Sequence, residues 1–229
     1  MTSPTRSAAT EDDAVLDAGV QLVLVRHALP VRVDAGRTPD AGPADPALTP
    51  RGHEQAELVA TLLSNEVVSG IYSSPSLRAT QTAAPLCRRV GIEAVIENAL
   101  AEWDTSSPSY VPVEQMREAG DPRWEALRRG DTYDPTFDYE PYREAVVAGI
   151  DRILGACGAG TVVLFTHAGV VNAYLGHVLG QRKPFWLPLP RSPFYASISR
   201  LDVTEGTDAR VISINETSHL YDGLRREPV

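Results

Sequence analysis

The stretch QLVLVRHALP, residues 21–30, sets a short apolar run directly before an arginine and a histidine. Five consecutive residues rich in Leu and Val, closed by Pro30, have the signature of a strand buried on both faces, as in a parallel sheet. The same pattern returns in TVVLFTHAGVV, residues 161–171, where His167 follows an apolar run as His27 does. In an open α/β sheet the ligand crevice lies outside the carboxyl ends of the strands. Two strands of this kind therefore deliver His27 and His167 to one edge of the sheet, although 140 residues separate them.

Working outward, strand signals fall at 21–25, 67–72, 94–96, 161–165, 195–203 and 210–214, with helical periodicity between most of the early ones. This alternation predicts an α/β fold, a three-layer α/β/α sandwich around a mostly parallel sheet. Thr49 caps the first helix and Pro50 opens it, with Ala56, Val59, Ala60 and Leu63 as its apolar stripe. For the second helix, Ser74 is the expected cap and Pro75 the first residue, and Pro85 is expected to kink it or end its regular bonding. A third helix is predicted over 142–154, and a fourth begins at about Ala168.

Two stretches break the rhythm. Residues 28–48 are rich in Pro, Gly, Asp and Ala and read as a long loop. Residues 103–141 gather Trp103, Tyr110, Trp124, Tyr133, Phe137 and Tyr139 and read as a lid-like insertion with an aromatic inner face. Residues 1–18 are polar and small and read as a disordered tail, which leaves 19–225 as one domain.

A net charge of −9 opposes binding to nucleic acid or an anionic membrane, so an anionic substrate must be held by local cations. The two cysteines, Cys87 and Cys157, have neither disulfide-framework nor zinc-site spacing, which suits a reducing compartment. The first residues lack a secretory apolar core and no run is long enough to span a bilayer, so a cytoplasmic location is expected.

Arg26, His27, Arg78 and His167 together would form a cationic pocket. The helix carrying Arg78 and the helix opening at Ala168 both offer backbone N–H groups and a dipole suited to an anion. Guanidinium groups match phosphoryl oxygens through a planar fork of donors. Glu102, in ALAEWDT just beyond the strand at 94–96, is placed to act as a general acid, with Glu97 and Asp104 as its nearest rivals.

LVRHA (24–28), LTPRGHEQA (48–56), SSPSLRATQTA (73–83), LAE (100–102) and FTHAGVV (165–171) stand in order and at the spacing of a known family. On these segments the chain resembles the histidine phosphatase superfamily, in its phosphoglycerate mutase-like branch, over roughly residues 20–220. The resemblance implies that His27 is a nucleophile forming a phosphohistidine and that Glu102 is the proton donor. It further implies that Arg26, Arg78 and His167, with Ala168, hold the phosphoryl group of a small phosphorylated molecule, and that no metal or other cofactor takes part.

The chain departs from the family pattern in several places. Ala28 and Ala168 replace frequent glycines, so both positions are expected in ordinary φ regions. Val33 replaces a frequent asparagine, with Arg32 as the neighbouring substitute. The extra basic residues of the mutases reduce here to Arg117 and Arg123. A phosphatase is therefore the leading expectation, ahead of a phosphoglycerate mutase-type phosphotransferase and of a catalytically impaired phosphate-binding module.

Overall fold

In the computed structural model the described residues are 19–34, 42–129, 132–181, 193–204 and 209–225. The expected tail at 1–18 and part of the first long loop lie outside them.

Six strands form one sheet in the order β3-β2-β4-β1-β5-β6. The first four, β1 (Val20–Arg26), β2 (Val68–Ser73), β3 (Val95–Ile96) and β4 (Gly160–Thr166), run parallel, whereas β5 (Ile198–Val203) and β6 (Ala209–Glu216) run antiparallel. β1 and β4 pair directly, in a register that sets Val25 against Phe165 and Arg26 against Thr166. His27 and His167 thus leave the sheet at the same level, and the His27 N–H donates to the Thr166 carbonyl at 2.8 Å.

Both central strands are buried on two faces, as their unbroken apolar runs require. Val23, Val25, Val163 and Phe165 face one layer, made of α1 (Pro50–Leu63) and α2 (Leu77–Val90). Leu22, Leu24, Val162 and Leu164 face the other, and the remaining helices are α3 (Val113–Glu118), α4 (Pro122–Arg129), α5 (Tyr139–Ala156), α6 (Ala168–Val178) and α7 (Asp222–Arg225). α5 and α6 cover the second face, while Leu224 of α7 joins the first. Among the described residues no helix is long and apolar enough to cross a membrane.

Local chemistry explains the boundaries. Thr49 Oγ1 accepts the Gly52 N–H and Pro50 opens α1, as its sequence predicts. α2 corrects the expectation at its start: it begins at Leu77 with Ser76 as N-cap, not at Pro75 with Ser74, and it runs with Pro85 inside it to Val90. Ser74 is unavailable as a cap because its N–H donates to the Phe165 carbonyl and its hydroxyl meets His167. α5 begins earlier than expected, at Tyr139, where the Asp138 carboxylate accepts the Glu140 N–H. β5 starts later, at Ile198, because Ala196 turns the chain with φ of 57°.

The insertion is ordered around its own small core. α3 and α4 contribute Met116 and Leu127, against which Trp103, Trp124, Tyr133 and Phe137 pack. The aromatic residues of the insertion other than Tyr110 therefore form a satellite core, and two of them, Trp103 and Tyr133, line the site cavity together with Tyr110.

Candidate active site

The residues directly after β1 are held by the fold through their backbone donors. Ala28 N–H donates to Thr82 Oγ1 at 3.0 Å, and Leu29 N–H donates to Gln55 Oε1 at 2.9 Å. Gln55 in turn donates through Nε2 to the Leu224 carbonyl, so α7 and α1 together brace the loop that carries His27. Neither Ala28 nor Ala168 is among the described residues with positive φ, as expected for alanine at both positions.

All six residues singled out in the sequence, Arg26, His27, Arg78, Glu102, His167 and Ala168, line one cavity of about 60 Å³ at the carboxyl edge of the sheet. Arg26 ends β1, Arg78 is the second residue of α2, and His167 is the N-cap of α6. Their exposure is 3 % for Arg26, 2 % for His27, 3 % for Arg78 and 0 % for His167, so charge here acts at low dielectric. A larger cavity, of about 610 Å³, sits at the opposite end of the sheet beside Asp151, His177 and Asp202. It contains none of these residues.

The two histidine rings lie 5.1 Å apart between centroids. His27 Nδ1 is 2.8 Å from the Ala28 carbonyl. A carbonyl only accepts, so Nδ1 carries the proton and Nε2 keeps its lone pair. Burial, then Arg78 and then Arg26, push His27 well below the usual histidine range and keep that lone pair free. Burial, Arg78, His27 and Arg26 do the same to His167.

Each arginine stacks on a tyrosine absent from the sequence-derived set. The Arg26 guanidinium lies 3.7 Å from the Tyr195 ring centre and donates to the Pro193 carbonyl. The Arg78 guanidinium lies 4.9 Å from the Tyr110 ring centre, and the two tyrosine hydroxyls meet at 3.1 Å. Tyr110 is brought in by an antiparallel bridge to Val33. Val33, the residue in place of the family's asparagine, thus anchors a side chain of the insertion over His27. Arg32 does not substitute: it is exposed and pairs with Asp34 and Gln115.

Glu102 follows a short 3₁₀ turn at Asn98–Leu100 and is held by three donors. Gly169 N–H reaches Oε2 at 3.0 Å, while Trp103 N–H and the Tyr142 hydroxyl each reach Oε1 at 3.2 Å. Burial nevertheless dominates and, with the nearby Asp104 carboxylate, raises its pKa to about 7. Of its sequence rivals, Glu97 pairs with Arg152 outside the cavity, whereas Asp104 lines the cavity and accepts the Tyr133 hydroxyl.

At each helix start one backbone N–H already meets a carboxylate of the chain: Asp45 accepts the Leu77 N–H at 2.8 Å on α2, and Glu102 accepts the Gly169 N–H at 3.0 Å on α6. Each dipole thus faces a carboxylate of the chain itself.

Gly169 is required by this packing. A methyl group there would collide with Glu102 Oε1 and come 3.0 Å from Trp103 Cδ1. Gly169→Ala is expected to displace Glu102 and lower kcat on an alkyl phosphate about a hundredfold. Inhibition by inorganic phosphate should change little, and steady-state kinetics with phosphate as competitor reads both.

Sequence reasoning missed Tyr110, Tyr195, Tyr142, Ser74 and Asp45. Tyr110 carried a signal as an aromatic of the insertion, and Ser74 as a supposed helix cap. Tyr195 was expected inside a strand, and nothing local marked Tyr142 or Asp45.

The family model described as histidine phosphatase superfamily, branch 1, matches residues 22–217. Phosphoserine phosphatase 1 of Hydrogenobacter thermophilus is 38 % identical over 99 residues, 43 % of this chain and 46 % of that protein. That match spans less than half of the relative. Among solved structures, mycobacterial glucosyl-3-phosphoglycerate phosphatase is similar with a TM-score of 0.65 at 22 % identity, covering 86 % of this chain and 99 % of that one. A mutant phosphoserine phosphatase from Entamoeba histolytica, in complex with phosphoserine, scores 0.63 at 20 % identity over 88 % and 100 % of the two chains. A phosphoglycerate mutase from Bacillus anthracis scores 0.66 at 19 % identity over 89 % and 96 %. These three structural likenesses are of fold.

Proposed function

The chain belongs to the histidine phosphatase superfamily, branch 1, and on that premise we propose that it hydrolyses a small phosphomonoester through a phosphohistidine at His27. The observation that carries this reading is the His27 ring: its Nδ1 proton is committed to the Ala28 carbonyl, which leaves Nε2 as a buried lone pair between two arginines.

In the proposed reaction Nε2 attacks phosphorus in line with the ester oxygen. Arg26, Arg78 and His167 take the phosphoryl oxygens and stabilise the charge spread over them in the transition state. Glu102, whose pKa burial raises to about 7, gives its proton to the departing alkoxide from its protonated form. The carboxylate then accepts a proton from water as that water attacks the phosphohistidine, which restores His27 and releases phosphate. The arginines supply the positive charge that metal ions supply in other phosphoryl transferases, so the reaction is proposed to be metal-independent.

The cavity of about 60 Å³ is proposed to take the phosphoryl group. A neighbouring cavity of about 240 Å³ shares Arg78, Asp104 and Tyr110 with it and is proposed to take the leaving group. Hydrolysis is favoured over the mutase reading by the insertion. Arg123 is bound by Asp121 at 2.6 Å, Arg117 is exposed, and neither lines the two cavities. The resemblance in sequence to a phosphoserine phosphatase supports the same choice. An impaired binding module is disfavoured because Ala168 in the cavity wall and Ala28 beside His27 both lack a positive-φ, strained backbone.

The test is hydrolysis of p-nitrophenyl phosphate in excess EDTA. Turnover within about twofold of the chelator-free rate is expected, together with competitive inhibition by vanadate. Activity that disappears with the chelator and returns with a divalent cation would overturn the metal-independent reading.

A further inference from the structure

Ser74 was expected to cap a helix, and its actual position gives it another task. Its backbone N–H donates to the Phe165 carbonyl at 2.9 Å, one residue beyond the β2–β4 pairing of Ser73 with Phe165. That bond places its fully buried hydroxyl 2.7 Å from His167 Nε2. The other ring nitrogen, Nδ1, is buried and without a partner among the described residues, and the ring lines the phosphate cavity.

A histidine held neutral by burial and by Arg78, His27 and Arg26 has a single N–H, so its tautomer decides what it offers a ligand. If Nε2 carried the proton, it would donate to Ser74 and leave Nδ1 as a lone pair facing phosphoryl oxygens, acceptor against acceptor. If Ser74 donates to Nε2, Nδ1–H is free to bind the anion. Ser74 Oγ is equipped for the second arrangement, because the Ser76 N–H already donates to it at 3.3 Å. Its single hydrogen has two acceptors in reach, His167 Nε2 at 2.7 Å and Ser76 Oγ at 3.3 Å, and the shorter contact favours His167.

We propose that Ser74 is a positioning residue that fixes the tautomer of His167, keeping the ring proton on Nδ1 so that it donates to the phosphoryl group. This rests on the reading of the cavity as a phosphate site. Ser74 touches neither the substrate nor the reacting atoms; it acts through His167. The β2–β4 register therefore sets a protonation pattern as well as a strand pairing.

Nitrogen NMR of ¹⁵N-histidine-labelled protein with inorganic phosphate reads the tautomer directly. In the wild type, Nδ1 of His167 should be pyrrole-like and Nε2 pyridine-like. In Ser74→Ala the proton should shift toward Nε2, and the inhibition constant of inorganic phosphate should rise roughly ten- to a hundredfold, the loss of one hydrogen bond to a charged group. Thermal unfolding reports whether the variant folds, and Ser74→Thr, which keeps the hydroxyl, should restore both readouts. A wild-type His167 protonated on Nε2 in the phosphate complex overturns the proposal even if Ser74→Ala does not fold. A folded Ser74→Ala with an unchanged tautomer overturns it as well, while leaving the phosphate reading intact. A wild type that binds no phosphate overturns both.

Discussion

His27→Ala is expected to lower turnover of any phosphomonoester by at least about a thousandfold while leaving phosphate binding within a few-fold of wild type. The asymmetry follows from the division of labour in the cavity. Arg26, Arg78 and His167 remain to hold the anion, but the imidazole lone pair that the Ala28 carbonyl leaves free on His27 Nε2 is gone. A water attacking directly would have to replace the nucleophile without the positioning that the Ala28 carbonyl gives the imidazole. Single-turnover reaction with a ³²P-labelled substrate, stopped in alkali where phosphohistidine survives, should label the wild type and not the variant. Turnover of His27→Ala within tenfold of wild type would exclude His27 as nucleophile.

Glu102→Gln is expected to cost about 10² to 10⁴ in kcat on an alkyl phosphate, the usual range for a general acid. The loss should shrink sharply with p-nitrophenyl phosphate, whose leaving group departs without a proton. The pH profile gives a second reading, with a definite sign. Burial, aided by Asp104, raises the Glu102 pKa to about 7, so the donor is protonated below that pH and lost above it. Wild-type kcat/KM on an alkyl phosphate should therefore fall as pH rises through about 7. His27, pushed well below the usual histidine range, stays nucleophilic throughout this window and adds no limb of its own there. In Glu102→Gln the fall near pH 7 should vanish. A variant that retains the wild-type limb would assign that proton to another group.

Both effects depend on residues that were legible in the sequence for different reasons. His27 and His167 stood out because each ends an apolar run, and strand periodicity together with the carboxyl-edge rule is enough to bring them together. Arg78 and Glu102 were less visible from pattern alone. An arginine on a helix and an acid in a loop are ordinary surface residues, and the ordered set of five segments singled them out. The helix start at Ser74-Pro75 misled because Ser and Pro are good opening residues in isolation. No local rule registers that Phe165 and His167, more than ninety residues away in sequence, claim both polar groups of Ser74.

The sequence by itself determined the α/β architecture, the pairing of two histidines at one edge and the cationic character of the pocket, because these follow from short-range periodicity and charged residue types. Only the tertiary structure decided which nitrogen of His27 is free, why Glu102 gains and loses its proton near neutral pH, and that Tyr110 and Tyr195 back the two arginines. It also decided that Asp45 and Glu102 each meet one backbone N–H at a helix start. Each of these depends on the distance and burial of groups far apart in the chain. A hydrogen bond or a desolvated carboxyl has no periodicity to read, and it exists only once the layers have packed.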